Sequence, residues 1–325
     1  MAPDMASDQG VTGVVRVFSH LGGAAALGLP DDLAGRVEII PVSMHGPAPD
    51  GPTGEVLVTL PAWGENTDEL LARGVRWIHY VSTGVDRVQF DDMAPDLVIT
   101  NSRGASAVPI SEWVMAVMLA AEKHLPEVWI HEPPTDWRAD SRLGTLHGRR
   151  LAIIGFGSIG RAIAERALPF GTEVRALKRS PGPSSVAGVE MVGSLAEALD
   201  GADHVVIAAP LTPATHHLID ADAFAEMKPG VHLINIARGG LVDQSALQVA
   251  LDDGTVALAS LDAVDPEPLP EGHWLFTHPQ VRLSAHDSWS WPGAYDVILD
   301  RFVVNLRAYL DGGPLPDLVD PAIGY

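Results

Sequence analysis

The sequence has no cysteine among its 325 residues. Disulfides, thiolate nucleophiles and cysteine-ligated zinc are therefore excluded, and the composition fits a reducing compartment. Long apolar runs are also missing, because even residues 113–121 are too few to span a bilayer. The first ten residues carry acids and no apolar core, which is not the pattern of a secretory signal. We therefore predict a soluble, cytoplasmic protein.

Basic side chains are scarce: 21 Lys and Arg residues stand against 42 Asp and Glu residues, and the formal net charge is −21. Such a charge repels nucleic acid phosphates and anionic lipids, so we expect neither nucleic acid nor a membrane as a partner. An anionic substrate would need a local cluster of cations. Hydrophobic residues make up 46% of the chain, which is enough for packed cores, and the length suits about two domains.

Short apolar runs alternate with helical patterns along most of the chain. The predicted strands are residues 14–18, 55–60, 77–81, 98–100, 151–154, 173–177, 204–207, 231–235, 256–262 and 281–283. The predicted helices are residues 66–73, 110–123, 160–170 and 294–310. This alternation is typical of βαβ units with parallel sheets, and its two series predict an α/β protein with two Rossmann-like domains. The helix at 110–123 is apolar on more than one face, which predicts either a core position or a subunit interface.

A GxGxxG pattern follows the strand at 151–154. It consists of Gly155, Phe156, Gly157, Ser158, Ile159 and Gly160. Gly155 permits a tight turn, Gly157 allows close approach to a pyrophosphate, and Gly160 allows the helix to pack on the strand. The helix N-terminus then offers N–H groups to the phosphates. We predict a dinucleotide site; the alternative is a glycine-rich turn that binds no ligand.

The residues after the next strand indicate which dinucleotide is preferred. An acid at that position would bind the ribose hydroxyls of NAD. The chain has Lys178, Arg179 and Ser180 there instead. Two cations and a hydroxyl would attract a 2′-phosphate, so we predict a preference for NADP(H), with NAD(H) possible as a second cofactor. A solvated basic strand end is the alternative interpretation.

Three later strands end in polar residues, at the edge where open α/β sheets bind ligands. Reduction of a 2-keto acid needs a cation for the carboxylate, a proton donor for the ketone oxygen and a carboxylate that orients the donor. Arg238 supplies the forked cation. His286 supplies the acid, because an imidazole titrates near neutral pH, and Glu267 favours its protonated form. Each residue alone could be an ordinary surface or core residue, but the combination favours a catalytic set.

With these motifs in place, the sequence resembles the D-isomer-specific 2-hydroxyacid dehydrogenases, including glyoxylate and hydroxypyruvate reductases, over nearly its whole length. The segments that carry the resemblance are 82–86 (STGVD), 101–102 (NS), 111–113 (SEW), 155–160 (GFGSIG), 210–212 with Thr215, 237–243 (ARGGLVD), 265–270 (DPEPLP) and the turn at His286. The resemblance implies NAD(P)H-dependent reduction of a small 2-keto acid to a D-2-hydroxy acid, with Arg238, Glu267 and His286 as the catalytic residues.

The resemblance also implies a domain plan. A flavodoxin-like substrate-binding domain would comprise residues 1–102 and 290–325, and a Rossmann cofactor domain residues 103–289, with a cleft between them. The backbone of Ser82, Thr83 and Gly84 would bind the substrate carboxylate together with Arg238. Residues implied at the cofactor, besides the glycine turn and 178–180, are Ala209, Pro210, Thr215, Ala237, Asp262 and His286. Members usually form homodimers through the cofactor domain, which would explain the apolar helix at 110–123.

Several alternatives remain beside this interpretation. Some relatives act as dinucleotide-sensing corepressors on the same fold with the same three residues. A short-chain dehydrogenase would need a Lys four residues after a Tyr, and none of the four tyrosines offers one. We predict no metal and treat His216 and His217 as surface residues. Trp289 and Trp291 could line a substrate pocket or pack the interdomain hinge, and we favour the hinge.

Overall fold

The computed structural model describes residues 13–88, 90, 93–133, 137, 142–180, 182–321 and 323. The first ten residues, interpreted above as no secretory signal, lie outside these ranges. The chain divides into two compact units. The first unit is Met1–Ser106 with Trp291–Tyr325, and the second unit is Ala107–Ser290. The roles predicted for the two domains remain predictions.

Twelve strands and seven α-helices occur within the described ranges. The strands are β1 (Val15–Ser19), β2 (Val37–Pro41), β3 (Val56–Thr59), β4 (Trp77–Tyr80), β5 (Val98–Asn101), β6 (Arg150–Ile154), β7 (Glu173–Leu177), β8 (Val189–Val192), β9 (His204–Ile207), β10 (Val231–Asn235), β11 (Val256–Leu261) and β12 (Val281–Leu283). The helices are α1 (Thr67–Ala72), α2 (Ala107–Lys123), α3 (Ser158–Ala167), α4 (Leu195–Leu199), α5 (Ala221–Ala225), α6 (Gln244–Asp252) and α7 (Ala294–Leu310). None of the helices in the described part of the chain is both long and apolar enough to cross a membrane.

The first unit contains a parallel five-stranded sheet in the order β2-β1-β3-β4-β5. This is the flavodoxin-like order, in which the first strand lies inside the sheet. Side chains from alternate strand positions, including Leu57 and Ile78, form a buried cluster on one face. On β4, the ring centroid of Trp77 lies 6.0 Å from that of Phe302 and 5.0 Å from that of Tyr309, so α7 packs against this strand.

The second unit contains a parallel seven-stranded sheet in the order β12-β11-β10-β9-β6-β7-β8. The order reverses at β6, which lies between β7 and β9, as in a Rossmann fold. Leu151 and Ile153 of β6 face a cluster that includes α2 and α3 residues, whereas Ala152 and Ile154 face the opposite cluster. Burial of both faces explains why the central strands β6, β9 and β10 are mainly apolar. The predicted fold class, two Rossmann-like α/β domains, is confirmed.

The structure differs from the predicted elements at several places. Strands β2 and β8 and helices α4, α5 and α6 were not predicted, since all are short or only partly apolar. Helix α2 begins at Ala107, before the predicted start at Ile110. Pro109 lies in the first turn, where backbone N–H groups have no partner within the helix, so the missing N–H of proline costs no hydrogen bond. Helix α3 begins at Ser158 rather than Gly160 and ends at Ala167.

His79 is a fully buried titratable group in the first unit. Its Nδ1 lies 2.7 Å from Thr100 Oγ1, and its Nε2 lies 3.3 Å from Ser102 Oγ. The Ser102 hydroxyl in turn donates to the carbonyl of Ile298 in α7 at 2.9 Å. Burial, followed by the charge of Arg301, lowers the pKa of His79 from 6.5 to about 3. The sheet and α7 are thus connected through a neutral imidazole.

We expect acid to destabilise the first unit through His79. Its pKa is lower in the folded than in the unfolded state, so the unfolded state takes up the proton first as pH falls. The stability that His79 contributes is therefore complete above about pH 6.5 and is lost below it, at about 1.4 kcal/mol per pH unit for one proton. Urea unfolding at several pH values between neutrality and pH 5 measures this slope, which should be shallower in His79→Asn than in the wild type.

The exposed His45 provides the control, since 82% of its side chain is accessible. His45→Asn should retain the wild-type slope. If His79→Asn shows the same pH dependence as the wild type, the buried imidazole does not govern acid stability.

Candidate active site

The glycine turn, residues 155–160, joins β6 to α3 and has the local geometry of a dinucleotide-binding turn. Gly155 has φ +105°, and a Cβ there would lie 2.5 Å from the backbone of Ala208. A Cβ on Gly160 would lie 2.3 Å from the carbonyl oxygen of Gly155. Both positions therefore exclude any side chain. A Cβ on Gly157 would meet nothing within 4 Å, so this exposed residue leaves open space at the start of the helix.

The other residues of the turn contribute in different ways. Phe156 is buried and Ile159 is partly buried in the cluster beneath α3. Their side chains serve packing, and only their backbone can face a ligand. Ser158 is the first residue of the ten-residue helix α3. The N-terminus of α3 presents N–H groups and a partial positive charge, which suit a phosphate.

The end of β7 is basic in the structure, as the sequence indicates. Lys178 follows the last strand residue, and its Nζ donates to the carbonyl of Pro183 at 3.3 Å. Lys178 is half-buried, whereas Arg179 and Ser180 are exposed. Gly155 N–H donates to the carbonyl of Leu177 at 2.9 Å, so the glycine turn and this strand end are neighbours.

The segment after β9 forms a compact turn beside the glycine turn. The backbone at Ala209 is close to Gly155, as the blocked Cβ position there shows. Thr215 Oγ1 donates to the carbonyl of Pro210 at 2.7 Å and accepts from the N–H of Thr212 at 2.8 Å. Thr215 therefore shapes the turn through its hydroxyl. Contact of Ala209, Pro210 and Thr215 with a cofactor stays a prediction.

His286 and Glu267 form a hydrogen-bonded pair. His286 Nδ1 lies 2.8 Å from Glu267 Oε1, with 32% of the His286 side chain and 27% of the Glu267 side chain exposed. This contact makes Nδ1–H the donor to the carboxylate and leaves Nε2 as the ring nitrogen for a substrate. His286 has φ +54°, an uncommon value for a residue with a side chain. The pairing inferred from the sequence is thus present.

Arg238 follows β10, the strand next to β11, and is half-buried. Its Nη1 donates to the carbonyl of Ala237 at 2.7 Å. We call residues 236–240 the Arg238 loop, residues 262–270 the Glu267 loop, and residues 284–289 the His286 loop. They follow β10, β11 and β12, three adjacent parallel strands. The carboxyl ends of these strands lie side by side along one end of the sheet, which we call the sheet edge. All three predicted catalytic residues therefore belong to this sheet edge of the second unit.

Asp262 is buried at the beginning of the Glu267 loop, with 1% exposure. Its Oδ1 accepts from Ser284 Oγ at 2.6 Å, from the N–H of Asp287 at 3.0 Å and from the N–H of Ser288 at 3.2 Å. Its Oδ2 accepts from the Ser288 hydroxyl. The carboxylate therefore holds the His286 loop. The nicotinamide contact expected of Asp262 stays a prediction.

The predicted carboxylate loop, 82–84, lies in the first unit after β4. Asn101 Nδ2 donates to the carbonyl of Thr83 at 2.8 Å, and Ser82 Oγ donates to the carbonyl of Gly84 at 2.7 Å. These bonds fix the loop against the end of β5. Its role toward a substrate stays a prediction.

The two tryptophans after His286 have different surroundings. Trp289 packs partly against the cluster beneath α3, and its Nε1 donates to the carbonyl of His286 at 2.9 Å. Trp291 belongs to the first unit and is 50% exposed. Trp289 thus supports the His286 loop. No group of three or more His, Asp or Glu residues in the described ranges is arranged to hold a metal ion.

Comparison with known proteins agrees with this geometry. The profile of the family "D-isomer specific 2-hydroxyacid dehydrogenase, NAD binding domain" matches residues 115–288, more than half of the chain. The chain belongs to the D-isomer specific 2-hydroxyacid dehydrogenases. The matched range contains the glycine turn, the Arg238 loop, the Glu267 loop and residues 284–288 of the His286 loop.

Among relatives of this family, the glycerate dehydrogenase of Methylorubrum extorquens is 31% identical over 250 residues, which cover 74% of this chain and 77% of that protein. The D-3-phosphoglycerate dehydrogenase of Mycobacterium bovis is 34% identical over 241 residues, which cover 73% of this chain and 45% of that protein. The chain therefore spans less than half the length of that relative. A solved D-isomer specific 2-hydroxyacid dehydrogenase from Xanthobacter autotrophicus, in complex with NADPH and MES, is 25% identical, has a TM-score of 0.80, and the match covers 97% of this chain and 100% of that one.

Some residues at this sheet edge were not singled out from the sequence. Asn235 ends β10 and is buried, with 1% exposure. Ser284 and Ser288 bind Asp262. A polar residue at the end of a mainly apolar strand was the available signal for Asn235, but its partners are backbone groups that only the folded chain brings together.

Proposed function

We propose that this chain reduces a small 2-keto acid to the D-2-hydroxy acid, with NADPH as the preferred cofactor and NADH as a possible second one. The observation that carries the proposal is the 2.8 Å pair of His286 and Glu267 on the sheet edge that also carries Arg238. Membership of the D-isomer specific 2-hydroxyacid dehydrogenases supports it, as does a relative from Thermotoga maritima named hydroxypyruvate reductase, 32% identical over 71% of that protein.

The residues present fit a dinucleotide. Open space at Gly157 and the N-terminus of α3 would receive the pyrophosphate. Lys178 and Arg179 would bind the 2′-phosphate of the NADP form at the end of β7. The NADPH complex of the Xanthobacter relative supports this assignment. Bound NADPH would supply the hydride for the substrate carbon.

Three side chains of the second unit would bind the substrate, orient the imidazole and transfer the proton. The guanidinium of Arg238 binds the substrate carboxylate and polarises the ketone. Glu267 accepts from Nδ1–H of His286, which fixes the ring orientation and stabilises the imidazolium. His286 then delivers a proton from Nε2 to the ketone oxygen. After turnover, the neutral imidazole takes up a proton again from solvent.

Replacement of His286 tests the proton donor. A general acid typically contributes about a hundredfold to ten-thousandfold in rate, so His286→Ala should lower kcat by that factor. NADPH should still bind within about threefold of the wild-type affinity, because the glycine turn is unchanged. NADPH oxidation with glyoxylate, hydroxypyruvate and phenylpyruvate measures turnover, and fluorescence titration measures binding.

His216→Ala is the matched control, because His216 is an exposed imidazole in the same unit. It should retain wild-type kcat. Wild-type turnover by His286→Ala would refute the assignment of the proton donor.

Substitution at the end of β7 tests cofactor choice. Lys178→Glu replaces a phosphate-binding cation with an acid that accepts from ribose hydroxyls and repels a 2′-phosphate. The ratio of kcat/KM with NADPH to kcat/KM with NADH should fall by about tenfold to a hundredfold, the worth of one charged hydrogen bond. Arg36→Glu changes the net charge equally in the first unit and should leave the ratio unaltered. An unaltered ratio in Lys178→Glu would remove the basis for NADP preference.

We also propose that the chain forms a homodimer through the second unit. The segment after α2 exposes large apolar side chains: Trp129 is 62%, Ile130 60% and Trp137 82% accessible. Adjacent exposed apolar side chains are costly in water and typical of interfaces. Light scattering should therefore give the mass of two chains for the wild type.

Trp129→Glu should give the mass of one chain, because a charge in an apolar interface is not solvated. Val249→Glu, at a position 63% exposed in the same unit, should remain dimeric. A monomeric wild type would contradict the assembly.

The cytoplasmic location stays a prediction from composition. The corepressor alternative has no support among the relatives described above, which are named as dehydrogenases or reductases.

A further inference from the structure

The Arg238 loop and the Glu267 loop are joined by one buried amide. Asn235 Nδ2 donates to the carbonyl of Arg238 at 2.9 Å and to the carbonyl of Ala263 at 3.3 Å. Its Oδ1 accepts from the N–H of Ala237 at 3.1 Å. Both donors and the acceptor are therefore in use, and two of the partners belong to the Arg238 loop.

The backbones of these two loops approach each other closely at Gly239. A Cβ on Gly239 would lie 1.9 Å from the carbonyl carbon of Val264 and 2.3 Å from the nitrogen of Asp265. The side-chain amide of Gln244 also donates to the carbonyl of Asp265. The backbones on either side of Asn235 are thus in direct contact, and its amide bridges them.

The same residue connects to the loop of the proton donor. The N–H of Asp262 donates to the carbonyl of Asn235 at 2.9 Å, and the Asp262 carboxylate holds the N–H groups of Asp287 and Ser288. The connections run from Arg238 through Asn235 and Asp262 to His286. The backbone that carries Arg238 and the backbone that carries His286 are thus both hydrogen-bonded to these two buried residues.

We infer that Asn235 is a positioning residue, which acts through the backbone of Arg238 to set the carboxylate-binding guanidinium against the His286–Glu267 pair. The inference rests on the proposed function, because it assigns Arg238 to the substrate. Asn235 itself touches no reacting atom. Its contribution should therefore affect keto acid reduction and leave the glycine turn unaffected.

Asn235→Asp is the informative substitution. It keeps the shape and the acceptor for Ala237 but removes both donors when the carboxyl group is ionised, so carboxylate oxygens would face the carbonyls of Arg238 and Ala263. A displacement of about 1 Å at a catalytic group costs on the order of a hundredfold in rate. We expect kcat/KM for the keto acid to fall by about that factor, with NADPH affinity within about threefold of wild type.

A pH profile separates positioning from a general loss of stability. The neutral form of the introduced carboxyl group retains one O–H donor, so it restores one of the two bonds. The ratio of variant to wild-type kcat/KM should be highest at low pH and should fall as that group ionises. A melting temperature well above the assay temperature at each pH shows that both proteins are folded.

Asn66 provides a matched control in the first unit. It is also fully buried, and its Nδ2 donates to two backbone carbonyls, Ser43 at 2.8 Å and Gly46 at 3.1 Å. Asn66→Asp therefore creates the same chemical conflict elsewhere in the chain. It should lower the melting temperature yet retain kcat/KM within about threefold. An equal loss of kcat/KM in both variants would mean that Asn235 acts only through stability, and would overturn the inference.

Two further measurements keep the outcome decisive. If Asn235→Asp does not fold, Asn235→Ser is the second variant. It keeps one hydroxyl donor, so its kcat/KM should fall by less than the roughly hundredfold loss expected for Asn235→Asp. Wild-type kcat/KM in either folded variant overturns the inference. If the wild type reduces no keto acid, the proposed function fails by itself. Hydrogen exchange then tests the positioning role. Peptides spanning 236–242 should exchange faster in the Asn235 variants and at the wild-type rate in Asn66→Asp. Unchanged exchange in the Asn235 variants overturns the positioning role.

Discussion

The buried carboxylate of Asp262 is the contact on which the geometry of the site depends. A carboxylate removed from water is stable only when its oxygens receive several hydrogen bonds. Asp262 receives them from Ser284, Asp287 and Ser288, which enclose His286 on both sides in sequence. Movement of this loop would leave a buried charge unpaired. These bonds hold the loop in place, and within it His286 adopts a left-handed backbone conformation, which costs on the order of 1 kcal/mol.

Parallel strands explain why three distant parts of the sequence meet. Strands β10, β11 and β12 are adjacent and run in the same direction, so the residues that follow them emerge at one edge. Beyond these strand ends, the backbones of the Arg238 loop and the Glu267 loop approach each other so closely at one position that only a residue without a side chain fits there. Gly239 meets this requirement against Val264 and Asp265. Close approach, rather than flexibility, is the reason for glycine at this position.

The sequence allowed much of this to be predicted, for identifiable physical reasons. Strands β6, β9, β10 and β11 are buried over most of their length and are mainly apolar, so they were readily found. Edge strand β8 is only partly buried and carries Glu190, and its pattern was too weak to recognise. The contact of His286 with Glu267 was predicted because a proton donor needs a carboxylate partner, and the contact is present, whereas the catalytic role of the two residues stays a prediction. Asn235 was missed because its partners are backbone carbonyl and N–H groups, which sequence patterns do not distinguish and which only folding brings together.

The confinement of Arg238, Glu267 and His286 to one sheet edge of the second unit has a consequence for protein engineering. All three residues belong to a single continuous segment of the chain, Ala107–Ser290. Residues of the first unit can therefore be exchanged in combinatorial libraries while the arrangement of these three side chains is retained. Recombination with related dehydrogenases should accordingly tolerate crossovers outside that stretch better than crossovers within the three loops.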